Sequence, residues 1–526
     1  MKELKELKFE ELSLKQKLGM VYSAMVTSEA DQEDIDFVEE LIRNHSLGAI
    51  WIQWSYPGRD ELLAMVKRVA DYPILVITDA ENGIMDYRIG QQNPLAGTGR
   101  EDLAYTFGKI VGVTAKKMGY TMVCNPMLDL NTDGTVRSLH WDKREVARIA
   151  AAEARGMHDA GILTCAKHFP SPIDDEELDS HMVETFSSQT KEELLDTSLY
   201  AYRELSKMGL IDCMMAGHNK LINIDPDKPA SLSKPLHDLM RAQGYDGMFI
   251  TDALCMMGIL AKYGLVDCKG LSVAAGNDLT LVYDKKTRFS YAAFNDCYER
   301  GMIPDDVLDA AVKRVLAAQH KVMLMQNPIH TEITEEDKEN FKLITRDSIF
   351  ARVDEGLTTA IPRDGRHYFV LMTRNETPFN EGKVDVDTFS NGWHFPAKIS
   401  EKLRELFPNS EIHLIHQFPT QKQMQTVVSD ALGYDNIVFL TFSEFLAYTG
   451  KEHLTQRVIS LIEAMQKTDR ISTLVHFGNP KVLEVLPHIP RIIVGGVTHD
   501  SVVASLEILA GEHEAKGRET CELNLK

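Results

Sequence analysis

Short apolar segments recur along the first 280 or so residues, and a segment of helical character follows each of them. They do not alternate between apolar and polar residues, which is typical of parallel strands buried on both faces. Eight such segments over this length match a (β/α)8 TIM-type barrel, and we expect this α/β fold for residues 1–330. A doubly wound open sheet is the alternative. The predicted strands are Met20–Val26, Gly48–Gln53, Ile74–Thr78, Thr121–Asn125, Ile162–Lys167, Ile211–Ala216, Met248–Asp252 and Leu279–Tyr283.

A second domain is predicted after the helix Asp305–Met325. The connector NPIHTEITEED contains proline, asparagine and a run of charges, which predicts a linker over residues 331–345. Five further apolar segments fit a C-terminal α/β/α sandwich over residues 346–526 better than a second barrel. They are Tyr368–Thr373, Glu411–His416, Asn436–Phe442, Ser472–Phe477 and Arg491–Gly495.

Charge and cysteine usage restrict the partners and the compartment. The net charge of −21 argues against a nucleic acid or an anionic membrane as a partner. Seven cysteines lack any C-x-x-C or ligand-like spacing, which favours a reducing compartment. The first residues, MKELKELKFEELSLKQKLG, predict a charged helix without a hydrophobic signal core. We therefore expect a cytoplasmic protein, and the sequence does not fix its oligomeric state.

Ionisable or polar residues stand at the ends of five predicted barrel strands. In a barrel, the carboxyl ends of the strands share one mouth. Each residue alone has an ordinary explanation, since Asp252 could cap the next helix and Lys167 and His168 could be a core pair. Five strands ending this way are harder to explain without a ligand, because such groups are costly to bury. The residues are Asp79, Glu81, Asn125, Asp129, Lys167, His168, His218 and Asp252.

The loop after the fifth strand ends on Asp179-Ser180-His181. An aspartate two residues before a histidine can orient the imidazole and stabilise its charge. A solvated acidic loop is the alternative for this stretch.

These residue types suit glycosyl transfer. The reaction needs a carboxylate that attacks or stabilises an oxocarbenium-like centre, which Asp252 can supply. It also needs an acid for the leaving oxygen, which a histidine held by an aspartate can supply. Lys167, His168 and Arg137 would hold sugar hydroxyls and an amide. The sequence has no metal-ligand cluster, so metal-assisted hydrolysis is disfavoured and no cofactor is expected.

Two motif blocks resemble glycoside hydrolase family 3, in particular its β-N-acetylglucosaminidase branch. The family run Lys-His-Phe-Pro-Gly-x-Gly-Asp-Thr-x-x-Asp-Ser-His is similar to Lys167–His181, and its Pro-Ala-x-x-Ser, Gly-Phe-Asp-Gly and Thr-Asp-Asp-Leu-x-Met resemble PASLS, GYDG and TDALCM. LSLKQKLG, NPMLDLN, VRSLHWD and AAGNDL also fit, so that the resemblance covers residues 10 to about 325.

The resemblance implies a role for each matched residue. Asp252 would be the nucleophile of a retaining enzyme and His181 its general acid/base, with Asp179 as partner. The β-glucosidase branch usually lacks this Asp-Ser-His, so its presence favours action on N-acetylhexosamine. The residues expected to bind the terminal sugar are Asp79, Arg137, Lys167, His168, Arg88 and His218.

This chain departs from the family pattern at several positions. Ser171-Pro172-Ile173 replaces Gly-x-Gly, and Asp174–Glu177 makes a loop one residue longer and unusually acidic. Ala253 replaces the second aspartate of Thr-Asp-Asp, and the expected arginine is matched to Arg88, one place late. These changes put substrate choice and rate in doubt but remove no catalytic group.

The leading hypothesis is therefore an exo-acting β-N-acetylglucosaminidase that processes cell-wall fragments or chitooligosaccharides. A phosphorylase with the same residues is an alternative, because a neutral imidazole repels phosphate less than a carboxylate does. A β-glucosidase and an inactive sugar-binding protein are the others.

Overall fold

The computed structural model describes residues 4–26, 30–135, 137–173, 178–282, 286–373, 396–443, 453–468 and 471–526. These residues form two compact units. Unit 1 comprises residues 1–88, 104–130 and 143–337. Unit 2 comprises residues 338–526 together with two segments from earlier in the chain, 89–103 and 131–142. The boundaries expected at residues 330 and 346 stay a prediction.

Unit 1 contains the eight predicted barrel strands, each within a few residues of its expected bounds. All neighbouring pairs are parallel, and the order β8-β1-β2-β3-β4-β5-β6-β7 follows the chain. An isolated parallel bridge between Ile250 and Leu279 nearly closes the sheet, which confirms the barrel over the open sheet. The strands are β1 Tyr22–Met25, β2 Ala49–Trp51, β3 Leu75–Thr78, β4 Met122–Val123, β5 Leu163–Phe169, β6 Cys213–Ala216, β7 Met248–Thr251 and β8 Thr280–Leu281.

The barrel interior is filled by side chains two residues apart on successive strands, as strand geometry requires. Cys124, Cys165 and Cys213 lie in this core, and all seven cysteines are free thiols. In this position the three thiols pack as small hydrophobic residues.

The barrel strands are separated by helices. Between β5 and β6 the chain forms two helices, Lys191–Asp196 and Leu199–Lys207. The predicted charged leader helix is wrong over most of its length, because among residues 4–20 only Leu14–Met20 is α-helical, after a 3-10 turn at Phe9–Glu11. Ser13 caps that helix with Gln16 in a capping box, so the helix begins there. The other helices are Gln32–Arg43, Arg59–Val69, Asn93–Gly97, Glu101–Met118, Lys143–Asp159, Lys234–Arg241, Met257–Tyr263, Asp267–Ala275, Thr287–Glu299 and Asp305–Leu324.

Unit 2 contains a six-stranded sheet in the order β9-β14-β13-β12-β10-β11. The five predicted strands are parallel, and β9 is an added antiparallel edge strand. Helices Pro396–Leu406 and His499–Leu509 pack together, as do Gln421–Asp430 and Gln456–Gln466. The helix Glu335–Asp347 occupies much of the predicted linker. The strands are β9 Phe350–Val353, β10 His367–Thr373, β11 Glu411–His416, β12 Asn436–Phe442, β13 Ile471–Phe477 and β14 Arg491–Gly495.

Candidate active site

The end of β5 carries Lys167 and His168 into the barrel mouth. Lys167 pairs with Met215 of β6 and Phe169 with Ala216, so that His168 is an extra residue in a bulge. A bulge turns a side chain that would otherwise follow the strict alternation of the strand. Both residues can therefore contribute to the same end of the barrel.

Asp129 holds His168 by two hydrogen bonds. The backbone N–H of His168 donates to Oδ1 of Asp129 over 2.8 Å, and Nδ1 of the ring lies 2.8 Å from Oδ2. Burial alone would raise the pKa of Asp129, but the charge of His168 and hydrogen bonds from His168 and Ser171 lower it below its usual value. The carboxylate therefore fixes the orientation of the imidazole.

Lys167 is a buried cation with two carboxylate partners. Its side chain is 1% exposed, and Nζ lies 2.9 Å from Oδ1 of Asp79 and 3.0 Å from Oε2 of Glu81. The N–H of Glu81 also donates to Oδ1 of Asp79 over 3.1 Å. The Asp79 side chain remains 32% exposed, so that it can also contact a ligand.

Asp252 follows β7 directly, and its N–H donates to the carbonyl of Ala216 on β6 over 2.8 Å. Its Oδ1 accepts from the N–H of Ala253 over 2.7 Å, and its Oδ2 lies 3.9 Å from Nε2 of His168. Burial alone would raise the pKa of this carboxyl, but nearby imidazoles and the N–H of Ala253 lower it to about 2. The imidazoles that act on it belong to His168, His218 and His181.

Asp179 and His181 form a hydrogen-bonded pair. Oδ1 of Asp179 accepts from the backbone N–H of His181 over 2.9 Å and lies 2.7 Å from its Nδ1. The carbonyl of His181 accepts from the N–H of Met257 over 2.9 Å, which places the loop beside the start of the helix after Asp252. The acidic residues 174–177 of this loop lie outside the described residues.

His218 uses both ring nitrogens on the protein. Nε2 donates to the carbonyl of Ala253 over 3.0 Å, because a carbonyl can only accept, and Nδ1 therefore accepts from the hydroxyl of Ser231 over 2.8 Å. Burial lowers the pKa of His218, so that the ring stays neutral near pH 7. This arrangement fixes the backbone beside Asp252.

The two arginines occupy different units. Arg88 lies in a short hairpin after β3, with its guanidinium 6.0 Å from the ring centre of Trp54. Arg137 is in the 131–142 segment of unit 2. The structure thus brings together Asp79, Lys167, His168, Asp179, His181, His218 and Asp252 within unit 1.

Sequence reasoning missed Glu153 completely and assigned no role to Asp129 or Glu81. Glu153 is fully buried in the helix Lys143–Asp159, where Nδ2 of Asn125 donates to its Oε1 over 2.9 Å. Burial raises its pKa to about 8, although Asn125 and the charge of Lys167 act against this. A signal was present, because Glu153 interrupts the otherwise apolar stripe of Val146, Ile149, Ala150 and Met157.

Two features are absent from the described part of the chain. It contains no group of three or more His, Cys, Asp or Glu residues that could hold a metal ion. Within these same ranges, no helix is long and apolar enough to cross a bilayer.

Comparison with known proteins supports the family resemblance. The family model described as "Glycosyl hydrolase family 3 N terminal domain" matches residues 11–318. A beta-hexosaminidase of Tolumonas auensis is 28% identical over 264 residues, which are 47% of this chain and 78% of that protein.

Solved structures share the fold over both units. A glycoside hydrolase family 3 beta-N-acetylglucosaminidase from Paenibacillus sp. has a TM-score of 0.78 at 22% identity and covers 98% of this chain and 100% of its own. A beta-glucoside phosphorylase, BglX, has a TM-score of 0.80 at 20% identity and covers 98% and 95%. The resemblance inferred from the two motif blocks is thus confirmed. The chain belongs to glycosyl hydrolase family 3 and is a glycoside hydrolase.

Proposed function

We propose that this protein is a retaining, exo-acting β-N-acetylglucosaminidase in which Asp252 is the nucleophile. The observation that carries the proposal is the position of the Asp252 carboxylate, 3.9 Å from the ring of His168 and next to the loop of the Asp179–His181 pair. A carboxylate with a pKa of about 2 is ionised throughout the neutral range and can attack the anomeric carbon.

His181 acts as general acid and then as general base. Nδ1 is held by Asp179, which fixes the tautomer and stabilises the imidazolium, so Nε2 is the atom that transfers the proton. In the first step, C1 of the sugar bonds to the carboxylate of Asp252 as its bond to the glycosidic oxygen breaks, and that oxygen takes the proton from His181. In the second step, His181 removes a proton from water, which attacks C1 and releases Asp252.

The other groups bind the terminal sugar or hold the machinery in place. Asp79, Lys167 and His168 are assigned to its hydroxyls and amide, and Arg88 and Arg137 complete the set by their match to the family pattern. His218 is assigned an indirect role, because both of its ring nitrogens hold Ser231 and Ala253. The free thiols favour a reducing compartment, where we propose that cell-wall fragments or chitooligosaccharides are processed.

Mechanism-based labelling tests this function. Asp252→Ala should lower kcat on aryl N-acetylglucosaminides by several orders of magnitude, as expected for loss of a nucleophile. The temperature of thermal unfolding should stay at the native value, which shows that the fold is intact. A fluorosugar that traps the glycosyl-enzyme should label the peptide with Asp252. A label on another residue, or a product of inverted anomeric configuration, would contradict the mechanism. If the enzyme turned over the aryl glucoside with the same leaving group faster than the aryl N-acetylglucosaminide, the proposed substrate class would be wrong.

Phosphate is the alternative acceptor, since the proposed acid/base is an imidazole that carries no negative charge. Product analysis with and without inorganic phosphate separates the two reactions. N-acetylglucosamine 1-phosphate as the main product would identify a phosphorylase, and free N-acetylglucosamine in both conditions identifies a hydrolase.

A further inference from the structure

Large apolar side chains remain exposed on both sides of His181. On its loop, Leu178 is 45% exposed, Met182 is 47% exposed and Val183 is 43% exposed. Met257, on the helix that follows Asp252, is 48% exposed. Single exposed apolar residues are normal on protein surfaces, but a contiguous group of them marks a binding surface.

Backbone contacts place the loop segment around His181 beside the start of the helix that carries Met257. The N–H of Met257 donates to the carbonyl of His181 over 2.9 Å. A Cβ at Gly258 would lie 2.5 Å from the carbonyl oxygen of Val183 and 2.6 Å from that of Ser180, so the loop packs directly on the start of the helix. The two segments therefore lie side by side around His181.

On the side of the loop that follows Val183, the first charged residue already has a partner. Glu184 forms ion pairs with Lys220 over 2.5 Å and with Lys262 over 4.0 Å. Among the described residues next to His181, the large exposed side chains are therefore aliphatic and thioether groups, which offer hydrophobic contact to a leaving group.

We propose that Leu178, Met182, Val183 and Met257 form the leaving-group subsite and select glycosides with an apolar aglycone. This inference rests on the proposed function, because an acid that protonates the glycosidic oxygen must lie against the leaving group. Its own content is the substrate class: β-N-acetylglucosaminides that carry an alkyl or similarly apolar group are preferred over those that carry a small polar one.

Hexyl and methyl N-acetyl-β-glucosaminide provide the test, since their leaving alcohols need the same protonation and differ in apolar surface. We expect kcat/KM of the native enzyme to be at least about tenfold higher for the hexyl glycoside, because burial of a few methylenes favours binding by about that factor. Met182→Gln combined with Met257→Gln, which keeps side-chain length but adds an amide, should lower the hexyl-to-methyl ratio toward one.

Met208→Gln is the matched control, because Met208 is 56% exposed at the end of the helix Leu199–Lys207, away from these segments in the sequence. It should retain the native ratio. A native ratio near one, or a double variant that keeps the native ratio, overturns the subsite while the proposed function stands. Native enzyme that turns over neither alkyl nor aryl N-acetylglucosaminides contradicts the proposed function, and the subsite with it.

Discussion

His181 differs from the other imidazoles of the site in the segment that carries it. His168 stands on a barrel strand and His218 is buried with both nitrogens engaged, whereas His181 is on a loop that meets the helix after Asp252 through one backbone hydrogen bond. Groups that transfer protons to a substrate are often carried by segments that close on it.

His181→Ala should therefore discriminate between leaving groups in the bond-breaking step. A poor leaving group needs the proton and should lose about 100- to 10,000-fold, whereas a nitrophenolate needs little help and should lose much less. Asp179→Asn should give a similar but milder defect, since it leaves the imidazole in place without its charged partner. Single-turnover rates on two aryl N-acetylglucosaminides of different leaving-group pKa measure this. Equal losses on both would mean that another residue is the acid.

Glu153 makes stability depend on pH in a direction opposite to that of an ordinary paired carboxylate. Its pKa in the folded protein is about 8, above the ordinary value of 4.5, so the folded state holds more protons than the unfolded state between these values. The stabilisation is complete below about pH 4.5 and is lost as the pH rises through about 8.

Glu153→Gln should remove this dependence, because glutamine is neutral and its Oε1 can still accept from Asn125. The variant should gain free energy of unfolding over the native protein between about pH 5 and about pH 9, as measured by urea unfolding. Glu192→Gln, at an exposed position in another helix, is the control and should show a much smaller change with pH. If the difference in free energy of unfolding between Glu153→Gln and the native protein stays constant over this range, the carboxyl is already ionised at about pH 5 in the folded protein.

For single residues, the sequence shows which side chains belong to the site better than it shows what each of them contacts. The residues at the strand ends could be found because they follow apolar runs and lie in motifs. The hydrogen bonds of His218 and the burial of Glu153 could not, because they depend on neighbours distant in the chain. Ser171 shows the same limit: its φ of 55° explains why a glycine fits the family pattern there, while its hydrogen bond to Asp129 is visible only in three dimensions.

Among the elements, the strands were predicted well because burial on both faces leaves a continuous apolar run. β9 was missed since it is a short edge strand whose residues become more exposed toward its end. The prediction of a helix over the first residues was wrong because charged residues with good helix propensity do not form a helix without a cap and an apolar face to bury.

The contact between the His181 loop and the helix Met257–Tyr263 depends on Gly258. Gly258→Ala would bring Cβ within 2.6 Å of two carbonyl oxygens, so the loop must move. We expect a loss of about 10- to 100-fold in kcat on a poor leaving group, because small displacements of a catalytic group have effects of this size. Gly433→Ala, where a Cβ meets nothing within 4 Å, is the control and should keep native rates. Native rates in Gly258→Ala would show that the helix contact does not position His181.

For the whole molecule, the chain enters unit 2 twice before its final passage. The N–H of Arg518 donates to the carbonyl of Gly97 over 2.8 Å, and the N–H of Trp141 donates to that of Thr520 over 3.1 Å. Nζ of Lys481 donates to the carbonyl of Thr132 over 2.6 Å. Contacts over such sequence separations could not be predicted from local patterns, although both domain folds could.

A chain that ends at Asp337 should therefore be less stable and should bind substrate more weakly, since residues 131–142, with Arg137, lose these partners. We expect KM to rise more than kcat falls, because no proposed catalytic group is removed. Lys481→Ala in the full chain removes one partner and should have a smaller effect in the same direction. Native KM in the truncated chain would show that these anchors are dispensable, and a complete loss of kcat in Lys481→Ala would place a catalytic group in unit 2.

Chemical modification of the three thiols inside the barrel can report how often the barrel unfolds. Burial raises the pKa of Cys124, Cys165 and Cys213, so that they stay protonated and shielded while the barrel is intact. An alkylating reagent should modify the half-buried Cys255 at once and these three only when the barrel unfolds. Mass spectrometry of modified peptides against time would thus count unfolding events in native buffer, and rapid modification of all four would mean that the barrel interior is open to solvent.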